Sequence, residues 1–173
     1  MPEKLQPDFF TRDVLDVAPD ILGCYLVRNF GKETRPYQIS EVEIYRGEED
    51  SGCHVSRGKT KRTEVMYRDG GLVYVYLIYG MHWMLNIVTG MKDQPQALLI
   101  RGVQGFNGPG KLTKEMQIDS SFYGENLCGS NRIWIEKNPQ RKGTIEKLPR
   151  IGIDYARKED RERLWRLKWV DRG

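Results

Sequence analysis

The sequence lacks any uninterrupted apolar run near the ~18 residues that a membrane-spanning helix requires, which argues against a helical membrane protein. Its opening residues, Met1-Pro2-Glu3-Lys4-Leu5, hold no apolar signal core, so the expectation is a cytoplasmic chain, nucleoid-associated if prokaryotic. Cysteine is scarce. Cys24, Cys53 and Cys128 are odd in number and scattered, with no Cys-x-x-Cys pair, which excludes a disulfide scaffold and a structural zinc site and leaves reduced thiols. His54 follows Cys53, but nothing stands at metal-ligand spacing beside the pair, so a metal is rejected there. Internal repeats, low-complexity segments and linkers are all missing. Gly108-Pro109-Gly110-Lys111 is no phosphate loop, because the Gly-x-x-x-x-Gly-Lys-Ser/Thr spacing is absent.

What is present has the composition of an ordinary globular chain, 39% hydrophobic and 30% charged over 173 residues. Residues 1–173 are expected to form one domain. A net charge of +4 is modest, so its placement carries more information. Ser56 to Arg68 holds Arg57, Lys59, Lys61, Arg62 and Arg68 against Glu64 alone. Glu41 to Asp50 reverses the sign, with five acids against Arg46. Arg57 and Lys59 on the first stretch suit DNA phosphates, as does Lys111 at the helix start after the Gly-Pro-Gly turn. A solvated charged face reads equally well from either stretch alone.

The pattern predicts a short helix over Asp13 to Leu22, capped by Thr11 or Asp13 and kinked or divided at Pro19. Cys24 to Phe30 and Tyr37 to Tyr45 read as strands. In the second, alternation places Ile39, Glu41, Glu43 and Tyr45 on one face and Val42 and Ile44 on the other. Glu48 to Lys61 is a loop. Leu72 to Val88, dense in aromatic and β-branched residues around Gly80, is a β-hairpin with its tip near Tyr79 to His82. Gln96 to Gly102 makes another strand, Gly108-Pro109-Gly110 a turn, and Lys111 to Ile118 a helix. Asn131 to Glu136, Ile151 to Tyr155 and the tail complete a mixed α/β (α+β) domain. Strands follow one another without helical crossovers, so a curved, mostly antiparallel sheet is expected.

Within that frame a few residues suit chemistry. Glu43, two residues before Tyr45 on the same face, is placed to act as a general base beneath a stacked ring; a surface carboxylate is the plain alternative. Tyr79, an aromatic at a hairpin tip, suits a wedge between base pairs, or else folds back on the core. Tyr45, His54 and Tyr76 suit the walls of a slot for a planar base, where a cationic ring would gain ~0.5–2 kcal/mol from cation–π attraction. Asn86 and Arg101 are polar residues inside apolar strands and must find partners. Arg101 reads either as a group that holds Glu43 ionised and orients a water or phosphate, or as a structural salt bridge.

Taken together, these stretches resemble the alkyladenine (3-methyladenine) DNA glycosylase family. The resemblance is carried by Glu41-Val42-Glu43-Ile44-Tyr45, Cys53-His54-Val55-Ser56-Arg57-Gly58-Lys59-Thr60 and Tyr74-Val75-Tyr76-Leu77-Ile78-Tyr79-Gly80-Met81 through Asn86. Leu98-Leu99-Ile100-Arg101, Gly108-Pro109-Gly110-Lys111-Leu112 and Pro149-Arg150-Ile151-Gly152-Ile153 follow in the family's order. Lys61-Arg62-Thr63, the short Gly102 to Asn107 loop and Arg157-Lys158-Glu159-Asp160 depart from its pattern. The resemblance implies a protruding hairpin that enters the DNA minor groove and a monofunctional enzyme that flips damaged purines from duplex DNA and hydrolyses the N-glycosidic bond. It implies no metal or cofactor, and a monomer is expected. It assigns Glu43 as general base, Arg101 as its water-positioning partner and Tyr79 as the intercalating wedge. Tyr45, His54 and Tyr76 become the pocket walls, and Asn86 the side chain that excludes guanine's amino group. Two other readings are a non-catalytic DNA-lesion binder and a sugar hydrolase using Glu41 with Glu43.

Overall fold

The computed structural model describes residues 2–172. Two short helices open the chain, α1 (Pro7–Phe10) and α2 (Val14–Ile21). Asp13 caps α2, its carboxylate accepting from the Leu15 amide at 2.9 Å, while Thr11 closes α1 instead. Val14, Val17, Ala18 and Ile21 recur at helical spacing and are all buried. Pro19 does not divide the helix as expected. Its missing N–H removes a single bond, to Leu15 on the exposed side, and buried Ile21 keeps the last turn on the sheet.

The body is one nine-stranded sheet with antiparallel pairings throughout. Its strands are β1 (Tyr25–Asn29), β2 (Thr34–Arg46), β3 (Val73–Ile78), β4 (His82–Thr89), β5 (Gln96–Val103), β6 (Phe106–Asn107), β7 (Ile133–Glu136), β8 (Gly143–Leu148) and β9 (Arg166–Asp171). Along the main path the order is β3-β4-β5-β2-β1-β7; β6 joins β5, and β9 lies on β2 with β8 beyond it. The helices α3 (Pro109–Glu115) and α4 (Lys158–Glu162) complete the elements. Fold class and antiparallel character agree with the sequence reading.

The long β2 is the organising strand. Its first half pairs with β1, and its second half pairs with β5 on one side and β9 on the other. Between Ile39 and Val42 the β2–β5 register shifts twice: Glu41 faces Gly102 and Val42 faces Ile100, leaving Ser40 and Arg101 as extra residues on their strands. Such bulges bend a sheet and re-aim side chains. They also correct the expected faces of β2. Ile39 belongs with Val42 and Ile44 in the main core, and only Glu41, Glu43 and Tyr45 stay opposite.

The same division runs along the neighbours. Val73, Val75, Leu85, Ile87, Leu98 and Ile100 join the core beneath α2 and α3, while Tyr74, Val88 and Ala97 belong to a second, smaller cluster on the other face. Two further expectations change. Residues 151–155, read as an element, are irregular, and the helix expected at Lys111 begins at Pro109, behind Gly108 at φ +116°. The tail, read only as completing the domain, supplies β9, paired with β2 and β8.

Candidate active site

Opposite the main core lies a cavity of about 530 Å³, within the usual size range of small-molecule sites. It is lined by Glu43, Tyr45, His54, Tyr76, Asn86 and Arg101, with Tyr79 at its edge, so all seven residues proposed from sequence for pocket or wedge meet in one place. Arg57, Lys59 and Lys111 do not line it. They are exposed nearby in sequence, on the loop that carries His54 and on the helix whose first residue, Pro109, does line it.

Glu43 is fully buried, at 0% exposure. It is not the surface carboxylate of the plain alternative. Its Oε1 accepts a hydrogen bond from the Tyr45 hydroxyl at 2.9 Å, and its Oε2 accepts one from the Ile151 amide at 2.6 Å. The Arg101 guanidinium stands 3.5 Å from Oε1. Burial favours the neutral acid, while the cation and both hydrogen bonds favour the carboxylate. Desolvation wins, and Glu43 titrates above the ordinary carboxylate range. Burial, reinforced by the Glu43 charge, pushes the Tyr45 phenol well up, so Tyr45 keeps its proton and remains a donor to Glu43.

The aromatic wall comes from β3 and the loop. His54 and Tyr76 meet edge to face with centroids 4.5 Å apart, and Tyr74 packs against both at 6.1 and 5.4 Å. The Tyr74 hydroxyl lies 3.0 Å from His54 Nδ1. Burial first, and the Arg62 cation second, lower the His54 pKa to about 4. The imidazole is therefore neutral above that value. Because the folded value lies below the ordinary value of 6.5, the stability His54 contributes is present above pH 6.5 and lost as pH falls toward 4. The His54 ring resonances are therefore expected to titrate near pH 4 by NMR; a midpoint near 6.5 would contradict this burial.

Asn86 is buried on β4 and donates from Nδ2 to the Tyr74 carbonyl at 3.2 Å, which fixes its amide at the pocket wall. Tyr79 opens the three-residue loop between the paired Ile78 and His82, within a tight turn closed by the Met81 amide on the Ile78 carbonyl at 3.1 Å. Tyr79 and Gly80 have φ of +51° and +65°, the signature of a type I′ turn. The conformation throws the phenol outward, where it is 89% exposed, so it does not fold back on the core. Met81 and Leu77 are exposed beside it, and Ile151 and Tyr155 are exposed across the cavity mouth.

Sequence reasoning missed the supports of the site. Tyr74 was legible only as a partner of Tyr76 in parity. The Ile151 amide has no residue-type signature, since any residue but proline offers an N–H. Arg150 holds that segment in place: it is fully buried and bidentate to Asp50 at 2.7 and 2.9 Å, and it donates to the Ile44 carbonyl at 2.9 Å. Glu41 is turned away from a sugar hydrolase's role, paired with Arg166 at 3.0 Å and Arg101 at 3.7 Å.

A sequence profile of the methylpurine-DNA glycosylase (MPG) family matches residues 8–107 and 104–172. The chain belongs to that family. A methylpurine-DNA glycosylase is a DNA-repair enzyme, and the first matched segment carries every cavity residue from Glu43 to Arg101, the second the Arg150–Ile151 support. Relatives named "Putative 3-methyladenine DNA glycosylase" agree over nearly the full length. One from Borreliella burgdorferi (strain ZS7) is 44% identical, covering 92% of each chain. One from Natranaerobius thermophilus is 40% identical, covering 95% of this chain and 94% of its own. One from Legionella pneumophila (strain Corby) is 42% identical, covering 89% and 88%. No helix among the described residues is long and apolar enough to cross a membrane.

Proposed function

We propose that this glycosylase flips alkylated or deaminated purines out of duplex DNA and hydrolyses their N-glycosidic bonds as a monomer, releasing the base and leaving an abasic site. The observation that carries the reading is a fully buried carboxylate, Glu43, inside an aromatic cavity whose edge bears a solvent-exposed tyrosine on a tight turn. Tyr79 fills the gap left by the extruded nucleotide. The base stacks among Tyr45, His54 and Tyr76, and Asn86 rejects guanine's amino group. Arg57, Lys59 and Lys111 take phosphates. Ionised Glu43 accepts a proton from water as it attacks C1′, and Arg101 positions that water. A cationic alkylpurine then leaves with the bonding electrons and becomes neutral, so no acid is required. Unstacking a base costs ~a few kcal/mol and least for a damaged one, which adds selectivity.

The test is base release from duplexes carrying one hypoxanthine or one ethenoadenine and from methylated DNA, scored as alkali-labile abasic sites. Release from methylated DNA is expected on this mechanism, and release of the two neutral lesions as well would require a proton donor for the departing base. Release from methylated DNA alone would confine the enzyme to cationic leaving groups, and tight lesion binding without release from any would make it a lesion-binding protein. Borohydride trapping is expected to give no enzyme–DNA adduct, since water is the nucleophile.

Tyr79 is also strained, a bulky residue at positive φ where Asn or Gly sits easily. Tyr79→Asn is therefore expected to stabilise the fold by about 1 kcal/mol while lowering base release about tenfold. A variant that loses stability, or keeps full activity, contradicts the wedge.

A further inference from the structure

Arg101 does not close on Glu43. Its Nη1 stands 3.5 Å from Glu43 and its Nε 3.7 Å from Glu41, both longer than a hydrogen bond, so one guanidinium is shared between two carboxylates. Glu41 is in turn held by Arg166 at 3.0 Å, and Arg166 Nε donates to the Pro149 carbonyl at 2.8 Å. Pro149 lies two residues before Ile151, whose amide donates to Glu43. The four charged side chains are 0 to 17% exposed and sum to zero. A closed ring thus runs from Glu43 through Arg101, Glu41 and Arg166 back to the segment that holds Glu43.

We infer that Glu41 and Arg166 are positioning residues that keep Arg101 from collapsing onto Glu43 and so set the basicity of the carboxylate. The inference rests on the reading of Glu43 as the base. A guanidinium free to form two direct hydrogen bonds would hold Glu43 strongly as the weakly basic anion. Shared with Glu41, it holds the anion less tightly and leaves Glu43 a stronger base. Arg166 prevents the opposite error by neutralising Glu41, which would otherwise draw Arg101 away. The bulge at Arg101 provides the geometry, since the extra residue lets one side chain reach both carboxylates of β2.

The groups facing Glu43 from each element are few. β2 brings Tyr45 and Glu41, β5 Arg101 and β3 Tyr76, and the Arg150–Tyr155 segment brings Arg150, the Ile151 amide and Tyr155. β9 contributes Arg166 through Glu41. Glu41 touches Arg101 and Arg166 touches Glu41, so both reach Glu43 through Arg101.

The two positions therefore predict opposite shifts. In Glu41→Gln, Arg101 swings to Glu43, and the acid limb of the pH–rate profile moves to lower pH. In Arg166→Gln, Glu41 pulls Arg101 away, and the limb moves to higher pH. Each variant should lose about tenfold in single-turnover rate on a methylated duplex, with lesion binding kept. Arg166→Lys should restore most of the wild-type limb.

Limbs that stay at the wild-type pH in both variants, with only Tm lowered, would overturn the inference and leave a structural ring. If Arg166→Gln does not fold, the direction of the Glu41→Gln limb decides alone, and a shift upward overturns it. Glu43→Gln is run beside them. Should that variant still release base, the reading of Glu43 has failed, which is separable from failure of the ring.

Discussion

Glu43→Gln is expected to reduce base release by about 10²–10⁴-fold while leaving affinity for lesion-bearing DNA intact. The substitution keeps the shape, and the amide oxygen still accepts from the Ile151 N–H, but the group can no longer take a proton. In the wild type the rate should fall as pH drops through the Glu43 pKa. That acid limb lies above the ordinary value of 4.5 because burial outweighs Arg101 and the two hydrogen bonds. The linkage has the opposite sign for stability. A carboxyl whose folded pKa is raised binds protons more readily in the native state, so its ionisation at neutral pH costs stability. Glu43→Gln should therefore unfold at the wild-type Tm or above it. Loss of activity through a lowered Tm would show that the residue supports the fold, and an active variant would remove it from the chemistry.

Arg150→Ala should destabilise the fold by about 3–5 kcal/mol, the usual result of leaving one partner of a buried ion pair alone. At roughly 2–4 °C per kcal/mol for a chain of this size, Tm should fall by about 10 °C. Asp50 would keep the Arg46 and Gly52 amides, at 3.0 Å each, as its only compensation. The Arg150 guanidinium also stacks over Tyr45 at 5.1 Å and Trp165 at 5.0 Å, so its removal loosens two rings as well as a charge. The Ile151 amide, no longer anchored, should release Glu43, and activity should fall at temperatures where the protein is still folded. Arg150→Met combined with Asp50→Asn removes both charges and should recover much of the Tm without the activity. A single variant melting within about 2 °C of wild type would mean the pair is energetically idle.

The strands and the hairpin were legible because Tyr74-Val75-Tyr76 and Val42-Ile44 alternate, and alternation is a direct image of two unlike faces. The pocket residues were legible largely through the family resemblance, since each read singly had an ordinary alternative. What escaped has physical reasons. A bulge is a count of residues between two strands, so the displacement of Ile39 to the core face and the projection of Arg101 depend on β2 and β5 together. Both β8 and β9 lack a clean apolar stripe: no residue of β8 is buried and half are exposed, and Leu167 alone in β9 is buried, so neither segment announces itself as a strand. The Ile151 contact runs through backbone, which composition does not encode.

The closing contacts also impose an order in time. Glu43 is synthesised 108 residues before the amide that caps it, and Glu41 125 residues before its arginine on β9. A nascent chain that has made the Tyr79 turn and most of the aromatic wall still lacks the segment that seats the carboxylate. Translation thus completes the hairpin and most of the cavity wall well before the carboxylate can be seated, and a chain interrupted ahead of Arg150 would be left without that seat.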